Sequence, residues 1–423
     1  MATGMAAARP DGPAPAEGRP GRDLRVIALV GTAHSVSHFF QLVLPPLFPF
    51  LKDAFHVGYA ELGLLATFFY AASGLSQTPA GFAVDRFGAR RVLMAGIGLF
   101  ASALILVALA PSYWAMVPLV VLAGIGNSVF HPADYSILTS AVRKDWMARA
   151  YGVHQLGGNL GWAVAPVAVL TLTAFFGWRA ALVTLGLFGY ALLLFVWWQA
   201  ASLDIGAARG APARAEAASR RPPTRFLASP AVLLCFAYFV LLSIAFTGFQ
   251  QFLPTALLKA HGTPLVAAST ALSGYLLGGA AGIMFGGWLA DRSAQHERIL
   301  MVGLFVAALI ALFVGIVQLA VMPLVAMMAA AGFCSGTTSP SRDMMVRGAT
   351  PPGSTGKVFG FVYSGLDLGS ALIPPIIGAL LDHDMPLGFF IVTALALTGC
   401  ILVAHLLQRA ATANLALAVR PAE

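Results

Sequence analysis

Long apolar stretches dominate the chain, broken at near-regular intervals by short polar ones. Residues 92–110, 178–196 and 300–321 each run close to 20 residues with almost no charge. A helix of about 20 apolar residues crosses the roughly 30 Å hydrocarbon layer of a bilayer. The pattern predicts twelve such helices, over residues 24–50, 59–84, 91–110, 114–142, 149–175, 178–201, 230–257, 264–290, 297–319, 322–347, 355–381 and 386–409. The longest internal polar stretch, 202–225, holds Ala, Pro and Arg and divides six spans from six. The expected organisation is an all-α membrane protein: a disordered tail (1–23), a six-helix bundle (24–201), a linker (202–229), a second bundle (230–409) and a short tail (410–423).

Composition agrees. Of 423 residues, 59% are hydrophobic and 10% charged, where a soluble domain carries roughly 45–50% and about 25%. A water-soluble core cannot absorb that excess, so apolar surface faces lipid. The net charge of +8 would suit a nucleic acid, but its placement argues otherwise. With twelve spans both termini share one side, and every Lys and Arg except Lys52, Arg179 and Lys259 falls on it. Basic residues in short loops stay in the cytoplasm, which predicts cytoplasmic termini and a multi-pass protein of a bacterial inner membrane. Residues 1–24 lack the apolar core of a signal peptide. Cys235, Cys334 and Cys400 lie inside spans, without disulfide or metal-ligand spacing.

The halves repeat each other. Gly81-Phe-Ala-Val-Asp85-Arg86 after span 2 returns as Gly287-Trp-Leu-Ala-Asp291-Arg292 after span 8. Gly152, Gly161 and Pro166 in span 5 return as Gly360, Gly369 and Pro374 in span 11, all at one offset. Parallel repeats of this kind build transporters that rock two bundles about a midplane site. Gly81-x-x-x-Asp85-Arg86-x-Gly88-x-Arg90-Arg91 resembles the loop 2–3 signature of the major facilitator superfamily, complete at every position. Gly152, Gly161 and Ala165-Pro166 are similar to the antiporter signature of its drug exporters. Gly126-Asn-Ser-Val-Phe-His131-Pro132, Gln155-Leu-Gly-Gly-Asn159 and Ser37-His38 resemble the superfamily's fosmidomycin-resistance branch. The chain departs from that branch in carrying Ala133 and Leu42 where acids are usual, with Asp134 one position later.

The resemblance implies that Asp85 docks on the start of span 11 near Thr355-Gly356-Lys357, and that Asp291 docks on span 5 near Arg149. With Gly81, Arg86, Gly88, Arg90 and Arg292 they would form latches that hold the cytoplasmic side shut. Simple headgroup anchoring by the Asp-Arg pairs is the plainer alternative. The resemblance also puts spans 1, 4, 7 and 10 around a central cavity, flanked by 2, 5, 8 and 11. Ionisable groups inside spans are costly and by default mark a pathway. They fall on those helices: His34, His38 and Gln41 on one face of span 1, His131 and Asp134 on span 4, His154 and Asn159 on span 5. Gln250 and Gln251 lie on span 7, Arg342 and Asp343 on span 10, and Asp367 on span 11, where it matches Asn159 by the repeat. Each could instead be a helix-packing hydrogen bond. Carboxyls in apolar surroundings can exchange protons near neutral pH, which makes Asp134 and Asp367 the candidate proton carriers, with His131 one turn from Asp134.

The expected function is secondary active export: proton in, small organic molecule out, by alternating access. Coupled uptake of a small solute is the alternative, and a divalent-metal carrier built on the histidines is a weaker one. No His-Glu-x-x-His or nucleophile elbow points to an intramembrane enzyme. The run 353–358 lacks the first Gly and the final Ser or Thr of a phosphate loop, which disfavours an ATP-driven pump. The chain is therefore expected to need no cofactor, resident metal or nucleic acid. It should act as a monomer in the bilayer on a small molecule and protons.

Overall fold

The computed structural model describes residues 20–199, 229–293, 295–348 and 355–418. Among the described residues every regular element is helical, as required where the bilayer core offers backbone groups no water. Span 1 is Pro20–Gln41, followed by a 3-10 turn and a short helix, Phe48–Phe55. Span 2 is Tyr59–Phe87 and span 3 is Ala89–Leu109. Span 4 comes in two pieces, Tyr113–Asn127 and Phe130–Ala141. Spans 5 and 6 are the two arms of Met147–Trp198, separated at Gly177, whose φ of 77° favours glycine. Spans 7, 8 and 9 are Pro230–His261, Leu265–Arg292 and His296–Ile316. Span 10 is again broken, into Val321–Thr337 and Ser339–Gly348. Spans 11 and 12 are Thr355–Asp382 and Pro386–Ala418.

The twelve-span, two-bundle organisation read from the sequence holds, with local differences. Span 1 does not run unbroken to residue 50: Pro45 and Pro46 cannot continue the helix's hydrogen bonding, so the chain turns there. The last helix continues past 409 to Ala418. The proposed tail 1–23 is shorter at its inner end, because residues 20–23 already belong to the first helix; its remainder 1–19, residues 202–228 of the proposed linker 202–229, and 419–423 of the proposed tail 410–423 lie outside the described residues.

Small residues set the close contacts. In span 5, Gly157 sits where a Cβ would come 2.8 Å from the Gly31 carbonyl of span 1, and Gly161 faces the Ser35 carbonyl. In span 11, Gly365 and Gly369 face Phe236 and Val240 carbonyls of span 7 in the same way. Such stripes let helix backbones approach in lipid, where packing replaces the hydrophobic drive.

Span 1 begins and span 12 ends at one end of the molecule, called here the terminal face; the opposite end is the distal face. At the distal face the halves are locked together. A Cβ on Gly63 of span 2 would meet the Pro374 backbone at 2.5 Å, Gly378 faces Tyr59, and the Thr67 hydroxyl donates to the Ala371 carbonyl at 2.6 Å. Phe48 meets Phe252 across the halves at 5.3 Å. Toward the terminal face the halves part: a Cβ on Gly81, Gly152 or Gly287 would have nothing within 4 Å. The halves are therefore in contact at the distal face and apart toward the terminal face.

Candidate functional site

The break in span 4 after Asn127 starts a new helical piece that carries His131 and Asp134 inward. Opposite them, span 5 shows Gly158 to span 1; a Cβ there would lie 2.6 Å from His38 Nδ1 and 3.0 Å from His34 Nε2. The missing side chain is the room in which the imidazoles sit. Asp134 Oδ2 lies 3.1 Å from His154 Nε2 and 3.3 Å from His34 Nδ1. The rings of His34 and His154 stack at 3.5 Å, and His38 lies 4.2 Å beyond His34. His131 is 5.1 Å from His34, ring to ring. Asp134, His34, His154 and His38 are 0%, 1%, 2% and 5% exposed, and His131 is half-buried.

Spans 1, 4 and 5 thus assemble an ionisable centre inside the first bundle, with His131 as its most open member. This corrects two expectations. His34, His38 and His154 are packed within the bundle and do not line an open cavity wall, because the glycine stripe draws span 5 onto them. The hydrogen-bonding partner of Asp134 is His154, with His34 close by, and not the sequence neighbour His131. Among the described residues Asp134 Oδ1, His131 Nδ1 and His38 Nδ1 have no hydrogen-bond partner. Ligand nitrogens of His34, His131 and His154 all lie within 4.8 Å of one another.

A polar layer continues from this centre toward the middle of the molecule. Ser37 Oγ and Gln41 Nε2 each donate to Asn127 Oδ1 at 3.0 Å, and Asn127 Nδ2 donates to Ser73 Oγ at 2.9 Å. Trp162 Nε1 donates to Gln41 Oε1 at 3.0 Å while His38 stacks on the Trp162 rings at 4.1 Å. Trp162 also meets Phe246 of span 7 at 5.6 Å, in the other half. Asn127, Ser73 and Trp162 escaped sequence reasoning. Asn127 stands inside the quoted 126–132 motif, and Trp162 directly follows Gly161; either position could have flagged its residue.

The second half contributes different groups. Gln251 Nε2 donates to Tyr70 of span 2 at 3.3 Å. Gln250 is 2% exposed, and among the described residues its Nε2 has no hydrogen-bond partner. Its helical position lies between Phe246, which meets Trp162, and Thr247, which meets Ser370 at 2.8 Å, so it points to the centre between the halves. Arg342 Nε donates to Asp343 at 2.9 Å, and Tyr363 donates to the same carboxylate at 3.1 Å. Asp367 stands apart from the histidines. It is exposed and faces span 2, with its Cγ 3.5 Å from where a Gly74 Cβ would be. Asn159 donates to the Gln155 carbonyl of its own helix at 3.0 Å and joins neither group.

Of the latch residues, Gly88 takes φ 88° and forms the turn that the motif requires. Arg86 lies over Phe87 at 5.3 Å and Arg292 over Trp288 at 4.6 Å. Asp85 and Asp291 are exposed, and among the described residues neither forms an ion pair or hydrogen bond. The expected docking of Asp85 on span 11 and Asp291 on span 5 is therefore not made in this conformation. The physical reason is the parting of the halves at the terminal face.

Two pseudo-equivalent six-helix bundles that meet at one face and part at the other, with polar groups buried inside them, are the architecture of a membrane transporter. The chain belongs to the Major Facilitator Superfamily: the family model matches residues 30–322 and 256–422. It is 28% identical to the membrane sensor protein UhpC of Escherichia coli K12 over 80% of this chain and 81% of that protein. It is 27% identical to the fosmidomycin resistance protein of the same organism, over 36% of this chain and 37% of the relative. Among solved structures, it is similar to a bacterial homologue of the human lysosomal transporter Spinster, in an inward-facing unoccupied conformation. That match has a TM-score of 0.76 at 16% identity and covers 96% of this chain and 100% of the other. The fosmidomycin-resistance likeness is thus partial, while the superfamily and the fold extend over nearly the whole chain. Members of this family are transporters and not enzymes.

Proposed function

We propose that the protein is a proton-coupled antiporter that exports a small organic molecule, with the Asp134 centre as its proton site. One observation carries the reading: a carboxylate at 0% exposure has two imidazoles from two other helices within 3.3 Å of one oxygen. A buried charge is tolerated only with partners, so a proton added to or removed from this group changes the contacts among spans 1, 4 and 5. Those helices border the cavity, and His38 stacks on Trp162, which touches the other half. Proton occupancy can therefore bias how the halves meet. Asp367, exposed between the halves, is the second carboxylate suited to a proton. Gln41, Gln250, Gln251, Tyr70 and Trp162 are the cargo-facing groups in this reading. Cytoplasmic termini, from the basic-residue bias, put the open face of this conformation on the cytoplasm. The outward direction rests on the span 5 glycine pattern and on the name of the fosmidomycin resistance relative.

The test begins with fosmidomycin and other small organic solutes, scored by thermal stabilisation of the purified protein, which bound ligand gives by mass action. A stabilising solute is then followed in proteoliposomes with an imposed pH gradient. An antiporter accumulates it when the lumen is acidic, and a symporter when the outside is acidic. Asp134→Asn should abolish gradient-driven accumulation and keep exchange of labelled for unlabelled solute, since exchange needs no net proton movement. Uphill transport at the wild-type rate in both Asp134→Asn and Asp367→Asn would remove the proposed coupling.

A further inference from the structure

Spans 2 and 11 lie side by side, one from each half, and run in opposite directions. Span 2 starts at the distal face with Tyr59, and span 11 ends there with Asp382. The Asp382 carboxylate accepts the Tyr59 N–H on Oδ1 and the Ala60 N–H on Oδ2, each at 2.8 Å. These are the first two residues of span 2, whose N–H groups have no partner within their own helix. The Lys52 ammonium stands 3.5 Å from Oδ1. A carboxylate bridging two free N–H groups at a helix start gains both charge-assisted hydrogen bonds and the favourable end of the helix dipole. Within span 11 itself Asp382 sits in the last turn, where a negative charge faces the wrong end of its own dipole. Its favourable partners all belong to the other half.

At the terminal face the same two helices present the reverse arrangement. Span 2 ends near Asp85, and span 11 begins at Thr355. Asp85 is exposed while Asp382 is engaged. We propose that Asp382 is a distal-face latch residue, bridging the start of span 2, and that it works in alternation with Asp85 on the same helix pair. Each carboxylate ends one helix and docks on the start of the other. Rocking the halves to bring Asp85 onto span 11 draws Tyr59 and Ala60 away from Asp382, so only one latch is closed at a time. The neighbouring Asp384 serves as a built-in control: it is exposed and pairs at 2.5 Å with Lys259, a residue of its own half.

The latch is tested on the full-length protein in liposomes by spin-label distances, in a background with Cys235, Cys334 and Cys400 replaced. Ala54→Cys with Met385→Cys reports the distal face, and Phe87→Cys with Gln295→Cys the terminal face; all four positions are exposed. Asp382→Ala should add a longer distance at the distal pair together with a shorter one at the terminal pair. Asp382→Glu should restore part of the wild-type distribution, and Asp85→Ala should shift it the other way. Ala60→Pro removes one of the two donors without touching any charge, at a first-turn position that tolerates proline, and should reproduce the Asp382→Ala shift. Wild-type distances at both pairs in both Asp382→Ala and Ala60→Pro overturn the proposal. An equal shift in Asp384→Ala also overturns it, because the effect would then be one of surface charge.

Discussion

The two halves share a backbone plan and differ in what they bury. Both break the fourth helix of the bundle, at 128–129 and at Thr338, and both press a glycine-bearing fifth helix onto the first. At the offset that matches Gly161 with Gly369, His154 corresponds to Val362 and Trp162 to Ser370. The first half fills the space between these helices with four imidazoles and a carboxylate. The second fills it with hydroxyls: Ser370 lies 2.8 Å from both Ser243 and Thr247, and Ser243 donates to the Leu366 carbonyl at 2.6 Å. Of its charged groups, Arg342 and Asp343 pair with each other near the end of span 10, and Asp367 stands apart on span 11. Hydroxyl pairs hold helices together at any pH, whereas an imidazole–carboxylate cluster depends on its protons. The repeat therefore supplies the broken fourth helix twice and the buried imidazole–carboxylate cluster once.

Exchanging residues between the halves breaks this comparison most directly. His154→Val puts the second half's residue into the first and leaves Asp134 without its hydrogen-bonded partner. Gradient-driven transport should fall by about a hundredfold or more, the ordinary cost of losing a proton-transferring side chain, with protein levels maintained. Uphill transport within a few-fold of wild type would mean that the histidines only pack.

Gly158→Val tests whether the imidazoles need the gap in span 5. The added atoms would overlap His38 and His34, and overpacking costs about 1–3 kcal/mol. The thermal midpoint in detergent should drop and transport should fall with it. Unchanged stability would show that span 1 can move aside at no cost. Ser370→Ala gives the smallest effect. It removes neutral hydrogen bonds worth about 1 kcal/mol each, so stability should drop slightly while the pH dependence of transport stays as in wild type. A shifted pH profile in this variant would show that the hydroxyl cluster itself takes part in proton coupling.

How much could be read in advance follows from how far apart the interacting residues are. The spans were legible because about 20 apolar residues in a row are a local signal, and the two-half plan because Gly81–Arg86 and Gly287–Arg292 are nearly the same string. The presence of His34, His38, His131, Asp134 and His154 was equally plain. Their mutual contacts were not. Helical spacing paired Asp134 with His131 on its own helix, yet the contact that forms is with His154, 20 residues away around a loop, and with His34 on span 1. Asn127, Ser73 and Trp162 look like ordinary polar or aromatic positions until three helices bring them together.

The sequence by itself determined the membrane class, the twelve-span repeat and the loop signature, because hydrophobic length, charge bias and turn glycines act over a few residues at a time. The tertiary structure decided which buried ionisable groups cluster, that the halves part toward the terminal face, and that Asp382 bridges them at the distal one. Each of these is a matter of how helices distant in the chain pack. Asp382 meets its N–H donor on Tyr59 across 323 residues of sequence, and no local pattern encodes that distance.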